Sequence, residues 1–208
     1  MKKKRYEVIY GKPALMVIDL QNDFIQENGA IPCVDGGKAV LNTIPLIRKA
    51  REAKVPVIFT QEYHRDPKVY GPYDFGREID GTDPVHTVMG SHGWELVKEI
   101  LPLEKTDYLI QKPRYSTFIG TDLDLILRSH DIETIIISGV CTNICIHYNA
   151  VDAHQRDYRV RVVRECVAGT SKEAHDAALT QIEYLQFGGV QPLGSILRAL
   201  DELISKRQ

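Results

Sequence analysis

The stretch Ala14-Leu15-Met16-Val17-Ile18 is apolar at every position and stops at Asp19. A strand with one wet face alternates apolar and polar residues. A run without a polar break has both faces covered, so it belongs inside a sheet flanked by helices on either side. Val57-Ile58-Phe59-Thr60 and Tyr108-Leu109-Ile110 repeat the theme, as do residues 134–138 and 159–163, with Val190-Gln191-Pro192 as a short edge strand. Between them lie stretches of helical period: Val40, Ile44, Ile47 and Ala50 within 40–54, then 94–101, 122–129, 144–155, 172–186 and a C-terminal helix presenting Leu197, Leu200, Leu203 and Ile204. Strands alternating with helices predict βαβ units. The expected fold is therefore α/β, a single-domain three-layer α-β-α arrangement with a mostly parallel central sheet, one domain over residues 1–208.

Composition narrows the function. A net charge of −2 gives no electrostatic footprint for a nucleic-acid partner. Apolar runs such as Ile135-Ile136-Ile137 are strand-length, far from the ~20 residues of a membrane span. The start Met1-Lys2-Lys3-Lys4-Arg5 is basic but is followed by no apolar core of a secretory leader. With four cysteines in 208 residues and no paired spacing, a cytoplasmic, reducing location is expected. Residues 61–92, rich in Gly and Pro, read as one long loop, and long loops inside compact domains are usually functional.

Ligands of open parallel sheets bind beyond the carboxyl ends of the strands. Three reactive groups stand there: Asp19 after the first strand, Lys112 after the third, and Cys145 after the fourth. A carboxylate and an ammonium are what a thiol needs to become a nucleophile. A helix starting near residue 144 would add its N-terminal dipole, and the amides of Cys141 and Cys145 could receive an oxyanion. On spacing alone, a small buried structural thiol is the other reading of Cys145.

These residues carry a resemblance. Asp19-Leu20-Gln21-Asn22-Asp23-Phe24 after an apolar strand resembles the opening motif of the isochorismatase-like cysteine hydrolases. Lys112-Pro113-Arg114-Tyr115-Ser116-Thr117-Phe118 with Gly120-Thr121-Asp122-Leu123 is similar to their second motif, and Gly139-Val140-Cys141-Thr142-Asn143-Ile144-Cys145 to their nucleophile segment. The resemblance implies a Rossmann-like hydrolase fold and a triad of Asp19, Lys112 and Cys145. It also implies a cis peptide at Val140–Cys141 that turns backbone amides toward an oxyanion, and a homo-oligomer. The implied reaction is hydrolysis of a C–N bond in a small-molecule amide or carbamoyl substrate, as in N-carbamoylsarcosine amidases, through a thioester. A vinyl-ether hydrolase of the isochorismatase type and a non-catalytic binding or scaffold protein are the alternatives.

Substrate contacts are expected from Phe24, Glu62, Tyr63 and His64, and from Arg77 as a carboxylate clamp, with a solvated Arg77–Glu78 pair as its other reading. The nicotinamidase branch resembles an Asp-x-His pattern with further histidines. Here Glu62-Tyr63-His64 stands in that place and Tyr70 follows where a histidine would be needed. Glu62 and His64 could ligate Zn²⁺, but His86 and His92 would have to complete the site, so the expectation is no metal and no cofactor, with the histidines solvated in the loop. Asp23 is expected to fix the turn after the first strand, and Cys33 and Cys166 to be inert.

Overall fold

The computed structural model describes residues 7–71 and 84–206. Six strands form one sheet in the order β3-β2-β1-β4-β5-β6. They are β1 (Lys12–Ile18), β2 (Val57–Glu62), β3 (Tyr108–Lys112), β4 (Ile132–Val140), β5 (Arg159–Ala168) and β6 (Val190–Gln191). Every pairing is parallel, as the unbroken apolar strands require. Seven α-helices accompany them among the described residues: α1 (Asn22–Ile25), α2 (Gly36–Glu52), α3 (Pro67–Tyr70), α4 (Leu123–Ser129), α5 (His147–Gln155), α6 (Lys172–Leu185) and α7 (Leu193–Ser205).

The alternation of side chains along β1 divides the core. Leu15 and Val17 face α2 and α7, packing with Leu46, Ile47, Ile196 and Leu200. Ala14, Met16 and Ile18 face α4, α5 and α6, packing with Leu127, Ala150 and Ile182. Each large apolar side chain so enclosed contributes about 1.5–3 kcal/mol, and both layers close over β1 and β4 at the centre. The strand order reverses between those two, which opens a crevice at their carboxyl ends.

Local departures from the sequence pattern have physical causes. Residues 94–101 form no α-helix; only Lys98–Ile100 make a single 3-10 turn. The Trp94 carbonyl is taken by the side-chain amides of Gln21 and Gln61, Val97 N–H donates to the Leu20 carbonyl, and Leu96 bridges Gln21, so tertiary hydrogen bonds hold the stretch extended. Helix α2 begins at Gly36, earlier than the apolar period implies, because Gly36 nests against Ile25 where a Cβ would come within 3.2 Å of Ile25 Cδ1. The long loop is shortened at its start, since β2 continues through Gln61 and Glu62. Arg77, with Tyr73, Asp74, Phe75 and Glu78, lies outside the described residues.

Candidate functional site

The crevice is built from strand ends. Asp19 leaves β1 in the left-handed region (φ 50°), a conformation that a non-glycine residue adopts at some cost and that is concentrated at functional sites. Its carboxylate is fixed by Thr60 of β2, whose hydroxyl donates to Oδ1 at 2.6 Å. Glu62 ends β2, and Gln21 holds its backbone on both sides: Glu62 N–H donates to Gln21 Oε1, and Gln21 Nε2 donates to the Glu62 carbonyl, each at 2.8 Å. Lys112 ends β3. Near the end of β4, Gly139 sits at φ 115° with no room for a side chain, since a Cβ there would lie 2.0 Å from the Ile18 carbonyl oxygen, and the Val140–Cys141 peptide that follows is cis. A π-helical turn over Thr142–Ile146 then runs into α5, with Ile144 and Ile146 N–H both donating to the Cys141 carbonyl. Such turns recur at functional sites. This one places Cys145 in the first turn of the helical run.

These elements bring Asp19, Lys112 and Cys145 together with Glu62, all 3% exposed or less. Lys112 Nζ lies 2.7 Å from Asp19 Oδ2, 2.8 Å from Glu62 Oε2, 3.0 Å from the Arg114 carbonyl and 3.5 Å from Cys145 Sγ. The Cys145 thiol donates to Glu62 Oε2 at 3.2 Å. Asp19, Glu62 and Cys145 offer one atom each within 4.8 Å of one another. Asn149, one helical turn beyond Cys145, ties this centre to the segment after β3: its amide donates to the Cys145 and Tyr115 carbonyls, and its oxygen accepts from Thr117 N–H.

Two carboxylates around one ammonium set the protonation states. Burial pushes the Asp19 carboxyl above its ordinary value, with Lys112 pulling it back only partly. Burial acts the same way on Glu62, but Lys112 and the neighbouring His64 and His86 rings outweigh it and hold Glu62 well below the carboxylate range. Burial opposes charge on Lys112, yet Asp19, Cys145 and Glu62 together keep it firmly protonated. The Cys145 thiol is pushed well above its ordinary value by burial first, with Glu62 and Asp19 overriding the pull of Lys112. The sequence suggested a thiolate stabilised by Lys112 and the helix start. In the structure the thiol's proton affinity is raised instead, first by burial and then by the charges of Glu62 and Asp19, which outweigh Lys112.

The histidines also differ from expectation. His64 and His86 are buried at 4% and 3% exposure, not solvated. Their Nε2 atoms lie 3.4 and 3.3 Å from Glu62 Oε1, and their rings meet edge to face. His86 Nδ1 stands 2.8 Å from the Pro84 carbonyl, which only accepts, so Nδ1 carries a proton, while Nε2 is within hydrogen-bond reach of Glu62 Oε1. His64 Nε2 has no hydrogen-bond partner among the described residues. His92 takes no part: it is exposed and pairs with Glu95. Phe24 packs its ring 5.7 Å from that of His86, and Tyr63 N–H donates to the Lys112 carbonyl. Asp23 pins two segments, accepting from Ala30 N–H and Thr87 N–H.

The isochorismatase domain model matches residues 13–193. The chain belongs to the isochorismatase family. Within it, this chain is 33% identical over 176 residues to the isochorismatase family protein PncA of Bacillus subtilis, covering 81% of this chain and 93% of that one. It is 28% identical to an N-carbamoylsarcosine amidase of Arthrobacter sp. over 197 residues, covering 93% of this chain and 74% of the relative. The structure of a pyrazinamidase of Pyrococcus horikoshii in complex with zinc superposes with a TM-score of 0.74 at 30% identity, covering 88% of this chain and 98% of that one. The isochorismatase-family chain is accordingly a hydrolase of the class that cleaves non-peptide C–N bonds. Its Glu62, His64 and His86 fit a zinc-type ion by chemistry, a carboxylate and two imidazoles whose ring nitrogens converge on one oxygen and one of which is fixed through its other nitrogen.

Proposed function

We propose that this protein is a cysteine amidohydrolase of small carbamoyl or carboxamide compounds, resembling N-carbamoylsarcosine amidase, with the whole chain acting as one hydrolase domain. The reading rests on one observation above the others. A thiol, an ammonium and a carboxyl with a raised proton affinity meet at the switch point of the sheet.

Cys145 Sγ attacks the amide carbonyl as its proton passes to Asp19, whose raised pKa suits it to accept and later return a proton. The Lys112 ammonium balances the negative charge that then develops on sulfur. The amides of Cys141 and Cys145 receive the oxyanion, and Asp19 delivers its proton to the leaving nitrogen as the C–N bond breaks. A water then gives its proton to Asp19 and attacks the thioester, and the acid departs as the proton returns to sulfur. Glu62 stays ionised throughout and keeps Lys112 in place. Glu62, His64 and His86 would hold a divalent cation, which when bound supplies Lewis acidity toward a substrate or water oxygen. Phe24 and Tyr63, beside this centre, and Arg77 contribute substrate contacts in this reading. Four free cysteines support a reducing, cytoplasmic setting, and homo-oligomerisation is carried over from the resemblance.

Ammonia release tests the proposal, using N-carbamoyl amino acids, biuret, ureidoacrylate, maleamate and nicotinamide as the panel. Release from at least one compound, abolished by Cys145→Ala in a folded protein, is expected. Release that survives the substitution contradicts the role of Cys145.

A further inference from the structure

Cys33 and Cys141 are 108 positions apart in sequence, yet their Sγ atoms lie 2.8 Å from one another. That is inside ordinary contact for two sulfurs and under 1 Å longer than a disulfide bond of about 2.05 Å. Both thiols are free, and both are nearly enclosed, at 7% and 5% exposure. Neither side chain has a task in the hydrolysis above. Cys141 contributes its backbone there, while its side chain packs in the core beneath α2 and α7, whereas Cys145 belongs to the core on the opposite face of the sheet.

The backbones on either side are held in place. Cys33 N–H donates to the Phe24 carbonyl at 2.8 Å, and the Cys33 carbonyl accepts from Gly36 N–H at the start of α2. The next residue, Val34, donates to Gly169 beyond β5, and the Cys141 carbonyl accepts from Ile144 and Ile146. Two thiols brought into contact by rigid segments have little left to reorganise before they bond.

We propose that Cys33 and Cys141 form a covalent modification site, closing to an intramolecular disulfide that ties the entry of α2 to the turn before Cys145. The oxidant is a peroxide. One thiol gives a sulfenic acid and water, and the other thiol displaces a second water as the S–S bond forms, so two thiols and one peroxide yield one disulfide and two waters. Cys141 is held well above the ordinary thiol range, first by its hydrogen bond with Cys33 and then by burial. Because a thiolate is the reactive form, the bridge closes under sustained peroxide and not in a rapid sensing step. Cys145 is not consumed, so the proposal stands whether or not the amidohydrolase reading does.

The test uses the full reduced chain and hydrogen peroxide, followed by catalase, denaturation, alkylation with N-ethylmaleimide and peptide mapping. Oxidation is expected to remove Cys33 and Cys141 from the alkylated set. It should lower the mass of the unlabelled chain by about 2 Da and give one linked peptide joining the two residues. Dithiothreitol restores both alkylation sites. In Cys33→Ser, Cys141 stays open to alkylation after the same treatment. The wild-type map decides the matter even if that variant folds poorly. Full alkylation of both residues after peroxide, oxygen addition at either without a linked peptide, or linkage of either to another cysteine would each overturn the proposal.

Discussion

Replacing Lys112 with methionine removes the ammonium that two buried carboxylates share while keeping most of the side-chain volume. Lys112 is fully buried, with Asp19 Oδ2 at 2.7 Å and Glu62 Oε2 at 2.8 Å. Removing one partner of a buried ion pair typically costs about 3–5 kcal/mol, because the remaining charge is left in a poor solvent. Against a total stability of about 5–15 kcal/mol, that is a large fraction, and for a chain this size it corresponds to a fall of roughly 6–20 °C in Tm.

The pH dependence gives the prediction its sign. In the native protein Glu62 is held below its ordinary 4.5, so its contribution is present above that pH and is lost as pH falls through the lower folded value. Lys112 is held above 10.5, so its contribution is present below that pH and is lost as pH rises through the higher folded value. Asp19 is raised above 3.8 and runs the other way, favouring the folded state in acid and less so as it ionises. In Lys112→Met neither carboxyl has its cation. The gap between variant and native protein should therefore be smallest in acid, where both are neutral, and widen as pH rises through the carboxyl range. Urea unfolding followed by the fluorescence of Trp94, the single tryptophan, measures this directly. A loss under about 0.5 kcal/mol at neutral pH, or a gap that widens toward acid, would refute the electrostatic reasoning.

Other substitutions probe the scaffold of the site. Gly139→Ala sets a Cβ 2.0 Å from the Ile18 carbonyl oxygen at φ 115°, so it should cost more than about 4 kcal/mol and yield little soluble protein; a soluble, native-like variant counts against the packing described. Asn149→Ala leaves the Thr117 amide and the Tyr115 carbonyl without this partner; a loss of about 1–3 kcal/mol in urea unfolding is expected, and none would mean Asn149 does not bind the two segments together. Zinc should raise the Tm of the chelator-treated protein, and His86→Ala should abolish that rise; equal response in both proteins places the ion elsewhere.

What the sequence disclosed follows from where physical signals are strong. The unbroken run before Asp19 signalled a central parallel strand, and the strand-end rule singled out Asp19, Lys112 and Cys145 because each lies at or just beyond a strand end. The sequence points to Glu62 only as a substrate contact, since the continuation of β2 beyond Thr60 is what turns its carboxylate onto Lys112 and the thiol. The raised proton affinity of the Cys145 thiol is hidden too, because it comes first from burial and then from the Glu62 and Asp19 charges, which spacing alone does not show. His64 and His86 sit in a stretch of polar and turn residues, and their burial arises from contacts with Phe24 and Glu62 that no local period encodes. Residues 94–101 have helical spacing, but the Gln21 and Gln61 side chains that claim the Trp94 carbonyl lie far away in sequence.

In the proposed reaction Cys145 forms the bond to substrate. With a compound that releases ammonia, acid quenching during turnover followed by peptide mass analysis should show the acyl group of that compound on Cys145, absent in Cys145→Ala and discharged by neutral hydroxylamine as a thioester is. Ammonia release under single-turnover conditions with Cys145 unmodified at every quench time, or an acyl group found on another residue, would contradict it.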